Sequence, residues 1–279
     1  MADIDCLGLG ELDSSLVYAM LSEFIGCTAI CFFGCGSSMK FDPETPFYMF
    51  SVALTFGIMY TVCTFMFADM SDAHFNPAIT AGLMIINETK VLRGALYIVM
   101  HLLGCCLGVL FLLCVTPFDR ERKFFYRNYT LGYTAPSKYI SATQALLIET
   151  LVTFILMMTI LLTTRTSNSS VRLFGPFAIG FIFIAGITAF GSNTGGSFNP
   201  ARSFAPALLA RHWHDHWVYW LGPILGSVVA AFLYKCIFKS AIEEGEESEE
   251  EDATDKSNDV VAKPGEKESQ ERKGEEKKL

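Results

Sequence analysis

Long apolar runs alternate with short polar segments over most of the chain, and six of the runs are about 20 residues long. A helix needs roughly 20 consecutive apolar residues to cross about 30 Å of hydrocarbon, so each run predicts a membrane-spanning helix. The predicted spans are Ser15–Gly36, Phe47–Ala68, Val91–Val115, Thr143–Thr163, Leu173–Gly191 and Trp217–Phe238. The pattern indicates an all-α, multi-pass membrane protein.

Two of the polar interruptions carry the same motif. The segment "SDAHFNPAITAGL" at 71–83 matches "TGGSFNPARSFAP" at 194–206, with Phe-Asn-Pro-Ala common to both. Each motif follows two apolar spans of its half, and the first span of each half contains a glutamate, Glu23 or Glu149. Because three spans per half place the halves in opposite orientations, the sequence predicts an inverted repeat. Its halves are residues 15–115 and 143–239.

A short apolar segment follows each Asn-Pro pair, over Pro77–Ile86 and Pro200–Ala210. Ten residues of α-helix are about 15 Å long, half the hydrocarbon thickness. Asn is a favourable N-cap and Pro is favourable at the first helical position. Two re-entrant half-helices are therefore predicted, and their positive N-terminal ends should meet at the membrane midplane. The predicted pore motifs are Asn76, Pro77 and Ala78 in one half and Asn199, Pro200 and Ala201 in the other.

Arg202 lies one turn into the second half-helix. An arginine at bilayer depth costs roughly 2.5–3.5 kcal/mol on insertion scales, so we expect it to face water in a pore. The amides of Asn76 and Asn199 can donate to a passing oxygen while their carbonyl ends cap the half-helices, and Arg202 donates without losing its proton. The positive half-helix ends repel protons and cations but not neutral molecules. A passive channel for small neutral solutes is predicted.

Charge is concentrated at the C-terminal end. From 240 to 279 there are 15 acidic and 7 basic residues, and their difference equals the whole net charge of −8. Having almost no apolar residues, residues 240–279 are expected to form a disordered acidic tail. Ser248, which is followed by four acidic residues, is a candidate phosphorylation site.

Lys and Arg flank the spans about equally on both sides, so the positive-inside rule does not decide the orientation. Residues 1–14 are acidic and show no cleavable signal. We expect this arm and the tail in the cytoplasm, which places Asn128, in the sequon Asn-Tyr-Thr, outside as a candidate glycosylation site. The expected location is the plasma membrane, with an organelle membrane as the alternative.

The paired "NPA" boxes, the "NPARSF" segment and the two glutamates resemble those of the major intrinsic proteins, the aquaporin channels, over residues 15–239. The segments "GPFAIGF" and "RHWHDHWVYWLGP" are similar to the aquaporin-eight-like, or aquaammoniaporin, branch. The resemblance implies six transmembrane helices plus two re-entrant half-helices, a homotetramer in the lipid bilayer, and conduction of water, with ammonia or hydrogen peroxide as further solutes. It implies no cofactor, no metal and no nucleic-acid partner.

The resemblance also implies where selectivity lies. The family's aromatic/arginine filter corresponds to Phe56, Ile187, Gly196 and Arg202. Water-selective members usually have His at the position of Ile187, whereas Ile with Gly leaves a wider, less polar constriction, as in the ammonia- and peroxide-permeable branch. That branch usually has His where Phe56 stands. Glycerol facilitators usually have Asp where Ser203 stands, which argues against polyols, and Gly196 replaces the cysteine of mercury-sensitive members.

By the same resemblance, Glu23, Glu149 and His74 are expected to support the loops before the boxes. The alternative is that the glutamates carry protons in an ion- or proton-coupled transporter. Against coupling, the sequence places no acidic residue beside either box, since Asp69 and Asp72 precede the first half-helix. A mainly structural or adhesive membrane protein is the third possibility. No nucleophile-and-base arrangement or phosphate-binding loop is visible, so we expect no enzymatic activity.

Cysteines and histidines are the remaining residues with candidate chemistry. Eight of the nine cysteines lie in apolar spans, where cysteine packs as a small hydrophobe, and no disulfide framework is predicted.

His212, His214 and His216 with Asp215 could form a metal cluster or pH sensor. Three tryptophans in the same stretch favour an interfacial aromatic belt instead. His101, on an apolar span, is expected to be a satisfied interior histidine.

Overall fold

The computed structural model of the protein describes residues 14–39, 48–116, 118–119, 124–125 and 130–242. The N-terminal arm before Ser14, Asn128, Ser248 and the tail beyond Ile242 lie outside these residues. The chain divides into two units, residues 1–234 and 235–279. Of the second unit, only residues 235–242 are described, and they are helical.

Helices form nearly all of the described structure. In chain order they are α1 Ser14–Ser37, α2 Tyr48–Ser71, α3 Pro77–Ile85, α4 Val91–Val115, α5 Ala142–Thr164, α6 Ser169–Thr194, α7 Pro200–Ala210 and α8 Val218–Leu233, followed by a π-helical turn at Tyr234–Phe238. Between α4 and α5, strands β1 (Phe118–Asp119) and β2 (Phe124–Phe125) pair antiparallel, with Phe118 opposite Phe125.

Six helices are long and apolar enough to cross a membrane: α1, α2, α4, α5, α6 and the helix that runs from Val218 to Ile242. Their outward faces carry large exposed apolar side chains, such as Phe181 and Phe232, which is the pattern of a surface that faces lipid. The protein is therefore a multi-pass membrane protein, as the sequence predicted. The span expected to start at Leu173 begins earlier, at Ser169, because Asn168 caps the helix by accepting hydrogen bonds from two backbone N–H groups.

The helices pack as two equivalent halves. Helix α1 packs against α4 in the first half, and α5 packs against α8 in the second. Glycines allow both contacts: a Cβ added to Gly108 would lie 2.4 Å from the Thr28 carbonyl oxygen, and one added to Gly226 would lie 2.1 Å from that of Thr150. Small residues at such crossings let helix backbones approach closely within membranes.

The two short helices join the halves. Helix α3 packs mainly against α8 of the second half, α7 packs against α4 of the first, and α2 packs against α6 between them. With 9 and 11 residues, α3 and α7 are less than half as long as α1, α2, α4, α5 and α6. The fold is thus six transmembrane helices plus two re-entrant half-helices in an inverted repeat, which confirms the fold class predicted from the sequence.

Candidate functional site

The two half-helices begin at the repeated motif and are capped in the same way. The side-chain oxygen of Asn76 accepts a hydrogen bond from the backbone N–H of Ala78 at 2.9 Å, and Pro77 occupies the first turn. Asn199 caps α7 by accepting from Ala201 at 2.9 Å and from Arg202 at 3.3 Å. Each asparagine thereby satisfies N–H groups that the start of a helix leaves unpaired.

The asparagines also bind the opposite half. The Nδ2 atom of Asn76 donates to the carbonyl oxygen of Phe198 at 2.8 Å, and that of Asn199 donates to the carbonyl oxygen of Phe75 at 2.7 Å. Phe75 and Phe198 have φ values of 48° and 55°, a left-handed conformation that costs an ordinary residue about 1–2 kcal/mol. These reciprocal bonds hold the two positive helix ends together in the interior.

Glu23 anchors the loop before α3. Its carboxylate accepts hydrogen bonds from the backbone N–H groups of His74 at 2.9 Å and Phe75 at 2.7 Å, and from the Ser71 hydroxyl at 2.6 Å. The buried His101 Nε2 lies 2.6 Å from the same carboxylate. A buried carboxylate must be paired in this way because an isolated charge is very costly away from water.

Glu149 has the equivalent place in the second half, where it accepts from the backbone N–H groups of Ser197 at 3.2 Å and Phe198 at 2.7 Å. The prediction that no acidic residue lies beside either box is therefore wrong for the folded protein. Glu23 and Glu149 are about 50 residues away along the chain, but helix packing brings both against the residue that precedes each asparagine. Their oxygens are directed at loop N–H groups.

Arg202 is buried, with 2% of its surface exposed. Its Nη1 donates to the carbonyl oxygen of Gly132 at 2.6 Å and approaches the Cys35 sulfur at 3.9 Å, and the guanidinium lies 4.7 Å from the centre of the Phe56 ring. A cation over an aromatic face within about 6 Å is attracted by the ring quadrupole. The fold thus brings together two of the four predicted filter residues, Arg202 and Phe56.

The other two predicted filter residues, Gly196 and Ile187, also touch. A Cβ added to Gly196 would lie 2.7 Å from Cγ1 of Ile187, and the φ of Gly196 is 64°. Glycine is needed here for two reasons, since it fits against Ile187 and since it adopts a positive φ without strain. Ser203, in the next turn of α7, is within hydrogen-bond distance of the Thr134 hydroxyl at 2.6 Å.

A cavity of about 490 Å³ opens beside the first box. Its wall includes Asn76, His74, Tyr60, Phe183, Asp72 and Arg165. Arg165 bridges Asp72 at 3.5 Å and Glu88 at 3.6 Å. The cavity lining, which includes Asp69, Ser169 and Arg172, combines charged and apolar residues, so the cavity can admit polar solutes as far as Asn76. His74 contributes a buried ring whose Nδ1 is 3.0 Å from the Thr80 hydroxyl.

Sequence reasoning missed two residues of this site, Tyr60 and Phe183. Their rings stack with centroids 3.6 Å apart and planes 9° apart, and the Tyr60 hydroxyl accepts a hydrogen bond from Asn199 Nδ2 at 2.8 Å. A signal was present, because Tyr60 lies four residues after Phe56 and Phe183 four residues before Ile187, which places each on the same helix face as a filter residue.

The hydrogen bond to Tyr60 also corrects a prediction. Both asparagine amides were expected to donate to a passing solute. An amide nitrogen has two hydrogens, and those of Asn199 already serve the Phe75 carbonyl and the Tyr60 hydroxyl. One hydrogen of Asn76 serves Phe198, and the residue lines the cavity, so Asn76 is the amide that can meet a solute there.

The histidines after α7 pack among aromatic rings. His212 stacks on Tyr133 at 4.1 Å, and His216 meets Trp213 edge-to-face at 4.9 Å. Burial lowers the pKa of both His212 and His216 below the usual 6.5, because a charged ring is less well solvated there. Among the described residues, no three His, Cys, Asp or Glu side chains are placed to hold a metal ion.

Similarity to known proteins agrees with this geometry. The family model described as "Major intrinsic protein" matches residues 12–234. Aquaporin-4 from Mus musculus is 31% identical over 228 residues, covering 81% of this chain and 68% of its own. Aquaporin TIP1-2 from Musa acuminata is 33% identical over 229 residues, covering 80% and 87%.

A solved structure has the same fold. The aquaglyceroporin from Plasmodium falciparum superposes with a TM-score of 0.71 at 22% identity, covering 82% of this chain and 99% of its own. Two re-entrant half-helices that meet at Asn-Pro-Ala boxes within six spanning helices define a membrane channel fold of the aquaporin type. The chain belongs to the major intrinsic protein family.

Proposed function

We propose that the protein is a passive transmembrane channel for water and other small neutral solutes that excludes protons and ions. The observation that carries the proposal is the meeting of the two half-helix N-termini, held by the reciprocal bonds of Asn76 and Asn199. The relatives named aquaporin and the fold shared with an aquaglyceroporin support the same class.

Charge exclusion follows from the fixed positive charges. Two helix N-termini, each equivalent to roughly half an elementary charge, converge at the boxes, and the Arg202 guanidinium lies one turn further. The carboxylates of Glu23 and Glu149 lie nearby, but their oxygens are occupied by loop N–H groups. We infer that a cation at the boxes meets repulsion without a compensating ligand, whereas a neutral molecule does not.

Ammonia and hydrogen peroxide are the further solutes that we propose. In the proposed filter of Phe56, Ile187, Gly196 and Arg202, neither Ile187 nor Gly196 has a polar side chain. A smaller and more polar constriction would need hydrogen-bond donors at these two positions. A wider and less polar opening suits molecules slightly larger than water. Membership of the aquaammoniaporin-like branch is proposed on the same residues.

A proton-coupled transporter is the alternative that one observation favours. Glu23 and His101 form a buried pair with 2.6 Å between Oε2 and Nε2, and such pairs carry protons in some membrane proteins. The anchoring bonds of Glu23 to the His74 and Phe75 backbone favour a structural role, because a carboxylate that gained a proton would weaken both bonds.

We further propose that the channel domain comprises residues 15–239, that it assembles as a homotetramer, and that it resides in the plasma membrane. The exposed apolar faces of the spanning helices provide surface for both lipid and neighbouring subunits. Water and small neutral solutes are the proposed partners, with no cofactor.

Stopped-flow measurements on proteoliposomes test the function. Vesicles with the protein should swell or respond faster than protein-free vesicles to gradients of water, ammonia and hydrogen peroxide, but not of glycerol. The rates for water and hydrogen peroxide should be the same with and without an imposed proton gradient; ammonia is left out of this comparison because it is protonated on the acidic side of any membrane. Dependence of solute uptake on the proton gradient would favour the coupled transporter, and vesicles that respond like protein-free ones would refute the channel.

A further inference from the structure

The geometry points to a third constriction in the pathway: we propose that the stacked rings of Tyr60 and Phe183 form an aromatic gate that limits the flux of water and small solutes. The inference rests on the proposed function as a channel. It assigns the limiting step to a residue pair distinct from both the asparagine boxes and the four filter residues.

The position of the pair comes from the cavity and the helices. Among the described residues, the cavity wall includes Asn76, Tyr60 and Phe183 but none of the four filter residues. Tyr60 and Phe183 each lie one helical turn, about 5.4 Å, from the filter residue on their own helix. The pair therefore lies between the cavity and the filter.

The rings leave no gap between them. Their centroids are 3.6 Å apart with planes 9° apart, which is van der Waals contact over the whole ring face. Both side chains are almost fully buried, at 3% and 2% exposure. In the proposed gate, a solute that has reached Asn76 from the cavity passes only when one of the rings moves.

A hydrogen bond links the Tyr60 side of the gate to Asn199. The Tyr60 hydroxyl accepts from Asn199 Nδ2 at 2.8 Å, and the other hydrogen of that amide serves the Phe75 carbonyl. This saturates Asn199, so the amide has no donor left for a solute while Tyr60 stays in place. Movement of Tyr60 would widen the path and at the same time free one amide hydrogen of Asn199. Opening of the gate would therefore also expose a hydrogen-bond donor for the solute.

Phe183 also contacts the loop that precedes the second half-helix. Its ring lies 6.3 Å from that of Phe198, the residue whose carbonyl accepts from Asn76. The gate thus contacts the second box twice, through the hydrogen bond from Asn199 to Tyr60 and through the packing of Phe183 on Phe198. Separating a stacked aromatic pair costs little free energy, so thermal motion can cross this barrier.

The test compares full-length variants in proteoliposomes at equal protein content. Phe183→Val and Tyr60→Ile should each raise the water permeability per channel by about threefold to tenfold, since one stacking interaction is removed from the barrier. The water permeability of these variants should also depend less steeply on temperature, because ring displacement no longer limits passage. Phe181→Val, two residues away on the exposed face of α6, and Tyr18→Ile, on the exposed face of α1, are the matched controls and should match the parent.

Tyr60→Phe separates the ring from the hydroxyl. It keeps the stacked ring and removes the acceptor for Asn199, so the permeability should stay much nearer to the parental value than in Tyr60→Ile. If Tyr60→Phe opens the channel as far as Tyr60→Ile does, the ring is not the barrier and the proposal is overturned.

The remaining outcomes are also decisive. If Phe183→Val and Tyr60→Ile assemble but conduct like the parent and the controls, the gate is overturned while the channel function stands. If size-exclusion chromatography shows that these variants do not fold, Phe183→Leu, which keeps most of the volume but not the stacking, must raise permeability, and an unchanged value overturns the gate. If neither parent nor variants exceed protein-free vesicles, the channel function itself fails.

Discussion

The side-chain amide of Asn76 donates a hydrogen bond at 2.8 Å to the backbone carbonyl of Phe198, 122 residues further along the chain. The equivalent bond from the second half joins Asn199 to Phe75. Each half of the repeat thus completes the loop of the other.

Replacing Arg202 by Val should let protons or small cations leak. The change removes a buried fixed charge and its contact with Phe56, but leaves both half-helix ends in place. The leak should become measurable yet remain far below the conductance of an ion channel, with water flux kept or increased. Two-electrode recording in oocytes beside a swelling assay measures both. Arg202→Lys, which keeps the charge, should not leak; an unchanged current in Arg202→Val would show that the half-helices alone exclude ions.

Gly196→Ala should reduce both water flux and stability. The added Cβ would lie 2.7 Å from Ile187 Cγ1, and the φ of 64° costs a non-glycine residue about 1–2 kcal/mol. Larger residues should therefore impair folding as well as conduction. In Gly196→Ala/Ile187→Ala the steric conflict is relieved but the backbone strain remains, so flux should recover more than the melting temperature does. Full flux in Gly196→Ala alone would place Gly196 away from the pathway.

Glu149→Gln should destabilise the protein by about 1–3 kcal/mol, the cost of leaving a buried donor poorly satisfied. The carboxylate accepts from both Ser197 and Phe198, whereas the Gln side chain has one acceptor oxygen. Thermal unfolding in detergent measures the loss, and the flux of the protein that remains folded should be little changed. Loss of a proton-gradient effect on solute uptake, with stability intact, would instead assign Glu149 to proton transfer.

Mercurial inhibition should be weak, because Gly196 leaves no cysteine beside the Ile187 side of the filter. Cys35 is the cysteine nearest Arg202, at 3.9 Å from Nη1, but it is fully buried. Any residual inhibition should disappear in Cys35→Ser and persist in Cys63→Ser, because the Cys63 thiol instead lies against the Gly26 carbonyl. Strong inhibition that Cys63→Ser abolishes would reverse this assignment.

Acidification should reduce stability through His212 and His216. Burial lowers the pKa of both side chains below 6.5, so the unfolded chain binds more protons than the folded one in this range. The stability that the neutral rings provide is complete above pH 6.5 and is lost as the pH falls through their lowered pKa values. His212→Phe/His216→Phe keeps the aromatic packing and should lose less melting temperature than the parent between about pH 7.5 and pH 5.5. Equal losses in both proteins would exclude these histidines as the cause.

Hydrophobic length and the repeated motif were enough to predict the architecture. A run of about 20 apolar residues is read as a span without any tertiary contact, and Asn followed by Pro fixes where a short helix starts. Three spans per half then require opposite orientations. The spans, the half-helices at Pro77 and Pro200, and the family resemblance were therefore available from the amino-acid sequence by itself.

Contacts between distant segments were decided only by the tertiary structure. The family resemblance predicted that Glu23 and Glu149 support the loops before the boxes, but only the packing of α1 and α5 shows which groups they meet, the backbone N–H of Phe75 and that of Phe198 among them. It equally gives no distance between Tyr60 on α2 and Phe183 on α6, whose stacking depends on how these helices cross. Local sequence patterns determine the helices, because helix formation and membrane insertion depend on neighbouring residues. The stacking of Tyr60 on Phe183 and the hydrogen bonds of the two glutamates depend instead on how the helices are rotated relative to one another, which close packing sets.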